Sequence, residues 1–188
     1  MSNKPYFQPL LIVDDMYEFG HLEPFSIYVD SKKAGKVVNV RVTFTCHCFT
    51  VAYEESRHEP GHPIIKDQGG RDRLFCPTRY RLSHYLPEVL AALADGKDNV
   101  WQTSALRNWA HTVKIEEPSG PYYVFFELRR ARKDGSRVKQ DLDLVVESAY
   151  PDDPEKGSPA FRGKMRFNIL CGKIYRNEPV ATQKGGKR

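Results

Sequence analysis

The sequence predicts an α+β fold, in which N-terminal β-strands and a long loop precede an amphipathic helix packed on a four-stranded antiparallel sheet. Three observations predict it. A helical apolar stripe, SHYLPEVLAALADG, stands in mid-chain, and four runs of strand character follow it. The connectors EPSGP, RKDGSRVK and YPDDPEKGSP, rich in turn formers, divide those runs. A chain of 188 residues can bury a core of its own. Residues 1–180 are therefore read as a single domain, with a β portion over 1–56, a long loop over 57–80, and the helix and sheet over 81–178. Residues 179–188 read as a disordered basic tail.

Taken in order, residues 6–30 hold two weak strand candidates, FQPLLIV and PFSIYVD, and DSKKAGKVV turns into a strong strand over 37–53. Strict alternation along that strand sets Val38, Val40, Val42, Phe44, Cys46 and Cys48 on one face. Asn39, Arg41, Thr43, Thr45 and His47 fall on the other. The cysteines continue an apolar row and read as small buried hydrophobes. His47, beside Arg41 on the polar face, is a candidate acid–base group.

The segment RHEPGHPIIKDQGGRDRLFC has no sustained periodicity and reads as a loop, of a length that usually carries function. In the helix, Ser83 is the expected cap and Pro87 falls in the first turn. Leu86, Val89, Leu90 and Leu93 share a face, and Gly96 follows the end. The runs RNWAHTVKIE, YYVFFELRRA, DLDLVVESAY and KMRFNILCGKIYR are the four expected strands. In the last of them Met165, Phe167, Ile169 and Cys171 would share a face.

The formal charge is +5, unevenly spread: residues 1–30 carry one Lys against five acids, and from Lys156 onward nine Lys and Arg stand against one Glu. A basic end suits a phosphate-rich partner. The opening MSNKPYFQPLLIVDDMY has its apolar run broken by Asp14 and Asp15, so neither a secretory leader nor a membrane span is expected. Four cysteines without a leader point to a reducing cytoplasm. A zinc site on Cys46, Cys48, Cys76 and His84 is an open alternative; the primary expectation is no metal and no cofactor.

The chain has no Gly-rich phosphate loop, nucleophile elbow, His-Glu-x-x-His or Cys-x-x-Cys motif. It does carry acid–base groups and cations on or beside a sheet, including His47, His84, Glu147, Arg129, Lys164 and Arg166. Such an inventory can cleave RNA without a metal, with the 2′-hydroxyl as nucleophile. In CPTRYRLSHYLPEVL, Arg79, Tyr80 and Arg81 gather at the expected helix start, where anions are favoured and where Arg and Tyr can stack on RNA.

The order HYLPEVLAAL, NWAHTVKI, YYVFFELRRARKDGSRV, DLDLVVESAY, with its Ser148-Ala149-Tyr150 ending, resembles the core of the barnase, EndoU, colicin and RelE-like ribonuclease superfamily over residues 80–176. The resemblance implies metal-independent RNA cleavage by a toxin or mobile-element effector, with RNA and a protein antitoxin or defence-system component as partners. It assigns catalytic roles to His84, Arg129, Glu147 and Tyr150. The alternative from another class is a non-catalytic module that binds nucleic acid or protein.

Overall fold

The computed structural model describes residues 4–104, 108–132, 140–152 and 157–180. The expected basic tail lies almost wholly outside them. The α+β class holds, but the sheet is larger than expected. Twelve strands occur among the described residues: β1 Leu10–Ile12, β2 Asp15–Tyr17, β3 Phe25–Ser31, β4 Lys36–Phe44, β5 Thr50–Ala52, β6 Ile64–Lys66, β7 Asp72–Phe75, β8 Asn99–Thr103, β9 Asn108–Ile115, β10 Gly120–Arg130, β11 Leu142–Pro151 and β12 Phe161–Arg166. Three helices accompany them, α1 Pro77–Ser83, α2 Leu86–Ala92 and α3 Phe167–Tyr175.

Seven strands form one curled sheet in the order β12-β8-β9-β10-β11-β4-β3, in place of the four-stranded antiparallel sheet expected. β9, β10 and β11 are the antiparallel meander that the alternation predicts. β11 then pairs in parallel with β4, Leu144 beside Val42, and this joins the N-terminal hairpin β3–β4 to the rest. Val38, Val40, Val42, Leu142, Leu144, Val146, Val124 and Phe126 are fully buried on one face of the sheet. α3 covers that face, with the Phe167 ring edge-on to Phe126 at 6.0 Å.

Two expectations are corrected here. KMRFNILCGKIYR is not one strand: β12 stops at Arg166 and α3 begins at Phe167. Phe167, Leu170 and Cys171 are buried and Ile174 packs beside them, a spacing of three and four that belongs to a helix. The helix expected over SHYLPEVLAALADG is present as α2 and a following 3₁₀ turn, but Ser83 does not cap it: Ser83 is the last residue of α1, an additional helix that starts in the stretch read as loop. Pro87 has no N–H to give the Ser83 carbonyl, and its ring crowds the preceding turn. α1 therefore ends at Ser83 and α2 starts at Leu86, before Gly96 ends the segment at φ +68°.

The long loop is also partly ordered. β6 and β7 form a hairpin, and β7 pairs on its other side with β5. No helix among the described residues is long and apolar enough to cross a membrane.

Candidate functional site

The Cys-His-Cys stretch leaves the strand. Thr45 stays extended while Cys46–Cys48 form one turn of 3₁₀-helix. The Thr45 hydroxyl organises this change: it donates to the Glu147 carbonyl at 2.7 Å and accepts the His47 N–H at 3.3 Å. Cys46 and Cys48 are buried inside the turn, as their apolar row implied. His47 is half-buried on the outside. Arg79, reaching from α1, donates to the carbonyls of His47 at 3.1 Å and Thr50 at 2.9 Å and so braces the turn.

The hairpin between β6 and β7 brings the partner of His47. At its tip, Gly69 N–H and Arg71 N–H donate to Asp67 Oδ1 at 2.8 and 3.0 Å, and Gly70 takes a φ of +77°. Asp67 Oδ2 lies 3.1 Å from His47 Nε2 and 2.8 Å from Arg71 Nε, and its side chain is 2% exposed. The Arg71 backbone N–H, followed by His47, the Arg71 side chain and Gly69, holds the Asp67 carboxyl well below the usual carboxylate range. Burial first, then the Arg73 and Arg71 guanidinium groups, lower the His47 value against the pull of Asp67. Neutral His47 therefore donates from Nε2 to the carboxylate, and Nδ1 is its acceptor nitrogen.

A bulge in β11 supplies the third member. The register with β10 moves from Phe126 opposite Val146 to Phe125 opposite Ser148, which leaves Glu147 as the extra residue. Glu147 lines a polar pocket of about 210 Å³ together with Thr45, His47, Asp67, Gln68 and Arg71. Asn108 of β9 donates its side-chain amide to Glu147 Oε2. The pocket thus gathers an imidazole backed by a carboxylate, a second carboxylate and a guanidinium. A larger cleft of about 710 Å³, lined by Arg57, Thr78, Arg79 and Tyr150 among others, adjoins the same end of β11.

The sequence candidates divide among several places. His47 and Glu147 meet in the pocket. Tyr150 stacks on Phe125 at 5.1 Å with the Arg79 guanidinium 5.1 Å from its ring centre. His84 goes elsewhere: it stacks on His21 at 3.6 Å, with Tyr80 edge-on at 5.1 Å. Tyr80 donates to the Glu18 carbonyl at 2.9 Å and Arg81 to that of Glu117 at 3.0 Å. Arg129 pairs with Asp143 at 3.6 Å, Lys164 stands 5.2 Å over Trp101, and Arg166 precedes α3. Arg41 is not the partner of His47; it sits across from Asp143 and Ser26 in the ladder.

Asp67, Arg71 and Asn108 were missed from sequence. The signal for Asp67 is KDQGGRD, where an Asp before two glycines reads as a turn whose carboxylate caps its own backbone. Among the described residues, no group of three or more His, Cys, Asp or Glu is placed to hold a metal ion. Cys46, Cys48, Cys76 and His84 therefore do not form the alternative zinc site.

A family model described as the YjaZ family matches residues 9–175. The protein YjaZ of Escherichia coli strain K12 is 28% identical over 152 residues, which cover 79% of this chain and 80% of that protein. No solved structure matches. The resemblance to the barnase, EndoU, colicin and RelE-like superfamily is overturned by this match, and the roles it alone assigned to His84, Arg129 and Tyr150 lose that support. Strand alternation and a Leu-Pro helix are shared by many α+β chains, whereas the family match spans both the N-terminal hairpin and α3, so the chain belongs to the YjaZ family.

Proposed function

We propose that the pocket is a metal-independent acid–base site that cleaves RNA. The observation that carries this reading is that His47, oriented by Asp67, lines one small polar pocket with Glu147 and Arg71. Neutral His47 takes the 2′-hydroxyl proton on Nδ1 as the 2′-oxygen attacks phosphorus. Asp67 and, across the pocket, the Glu147 carboxylate steady the imidazolium that results. The outer nitrogens of Arg71, whose side chain is largely exposed, meet the charge on the phosphorane. The imidazolium then returns its proton to the departing 5′-oxygen. The O2′–P bond forms and the P–O5′ bond breaks, leaving a 2′,3′-cyclic phosphate and a 5′-hydroxyl.

The test is incubation of the purified protein with single-stranded RNA in excess EDTA, scored for cyclic phosphate ends. His47→Ala and Glu147→Gln are each expected to slow cleavage at least about 100-fold, with the fold retained by circular dichroism. His84→Ala is expected to leave the rate near that of the wild type. Because His47 acts in its neutral form, the rate should rise with pH and level off below its ordinary value of 6.5. Intact RNA with the wild-type protein, or undiminished cleavage by the double variant, would end this reading.

A further inference from the structure

The sheet carries a second aromatic cluster, outside the main core, on the face opposite α3. Trp101 and Phe161 stack at 6.0 Å, Phe161 meets Tyr123 at 6.0 Å, and Tyr123 meets both Phe125 at 6.2 Å and Tyr150 at 6.4 Å. One connected row of five rings thus runs from β12 to β11. Two features of the backbone allow it. β9 contributes Ala110 between Trp101 and Phe125, and so small a side chain lets rings from the neighbouring strands lean together as the sheet curls. The irregularity between Phe161 and Lys164 and the bulge at Glu147 bring residues that strict alternation would separate onto one face.

Rings of a closed core would be buried and free of charge. Here only Tyr123 is buried, the other four are half-buried, and each end of the row carries a cation over a ring: Lys164 over Trp101 and Arg79 over Tyr150. Phe125 lies opposite Ser148, next to Glu147, so the row starts beside the polar pocket. Half-buried rings on an open sheet face, bounded by cations, suit bases that stack and phosphates that need neutralising. A duplex keeps its bases inside its own stack, so the match is to a single strand.

We propose that this row is a base-stacking subsite for single-stranded nucleic acid, which leads the strand to the pocket of His47 and Glu147. As a description of substrate it rests on the reading of that pocket as a nuclease site. Binding itself does not need the chemistry. Any base has a face to stack, and a DNA strand lacks the 2′-hydroxyl that cleavage requires.

The experiment uses the full chain and a short fluorescent oligodeoxythymidylate, followed by anisotropy. Saturable binding is expected, with the unlabelled strand competing and a duplex of the same length failing to compete. Trp101→Leu and Phe125→Leu keep apolar bulk while removing a ring, and each is expected to weaken binding about fivefold or more. Lys164→Ala should lower the slope of log affinity against log salt by about 0.7. The chain has two tryptophans and Trp109 is 2% exposed, so quenching of tryptophan emission on binding should disappear in Trp101→Leu.

Absence of binding, or equal binding by ring variants whose melting is unchanged, overturns the proposal. If a ring variant fails to fold, Lys164→Ala and the wild-type quenching decide it; an unchanged slope without quenching rejects it. Oligodeoxythymidylate bound through the rings by a protein that leaves RNA intact rejects the nuclease reading alone. RNA cut equally by wild type and ring variants rejects the subsite alone.

Discussion

The chemistry proposed for His47 depends on one carboxylate with four donors. Asp67 receives two backbone N–H groups, Arg71 Nε and His47 Nε2, and their sum keeps it ionised and fixes the imidazole tautomer. Asp67→Asn removes the charge and with it the pull that raises the His47 value. Followed by NMR, the His47 titration midpoint is expected to move downward in the variant, and the melting temperature to fall. An unchanged midpoint would show that the two groups do not interact in solution. A second imidazole has a structural part. The Ser83 hydroxyl donates to the Tyr80 carbonyl at 2.7 Å, so His21 Nε2, 2.7 Å from the Ser83 hydroxyl oxygen, must be the donor, which in the neutral ring is the Nε2–H tautomer. Burial and the stacked His84 lower His21 to about 4, consistent with that tautomer.

At the scale of elements, close approach governs how α3 docks. A Cβ on Gly172 would lie 2.5 Å from Lys33 Cβ and 2.6 Å from Ser31 Oγ, which itself donates to the Asn168 carbonyl at 2.7 Å. Two effects oppose each other in Gly172→Ala. Alanine favours the helix by about 1 kcal/mol, while overpacking at so short a distance costs about 1–3 kcal/mol. The neighbours belong to the tight connection between β3 and β4 and cannot easily retreat, so overpacking is expected to prevail. Urea denaturation should show a loss of up to about 2 kcal/mol; a gain would mean that α3 can slide outward. The same element scale explains the pocket. A straight β11 would set Glu147 and Tyr150 on opposite faces, and the bulge instead turns both to the face that carries Phe125.

Across the whole molecule, burial acts alike on three histidines in different places. His21, His47 and His111 are all lowered from their ordinary value of 6.5, each first by desolvation. The unfolded chain therefore binds protons before the folded one as the pH drops. Their stabilisation is fully present above about pH 6.5 and is lost as the pH falls toward about 4, where His21 itself protonates. Asp67 adds a loss of the same sign at lower pH, below its ordinary value of 3.8. Thermal melts are expected to show a melting temperature that declines from pH 7 to pH 4. His21→Phe, which keeps the stack on His84, should flatten part of that decline. A melting temperature constant over this range would contradict the burial of all three rings.

Alternation and punctuation, which are local properties, made the meander of β9, β10 and β11, the buried row ending in Cys46 and Cys48, and the stop at Gly96 legible in the sequence. His47 and Glu147 were legible as acid–base groups by residue type. Their meeting was not, because it depends on a parallel pairing of β11 with β4 between residues about a hundred positions apart, and sequence pattern carries no information on which strands become neighbours. KMRFNILCGKIYR satisfies both a two-residue and a helical period over a few residues, and only docking against β3, β4 and β10 selects the helix. Asp67 was hidden for a related reason. A turn aspartate caps its own backbone in any hairpin, and its second oxygen becomes a partner for His47 only when the tip of that hairpin folds back against the end of β4.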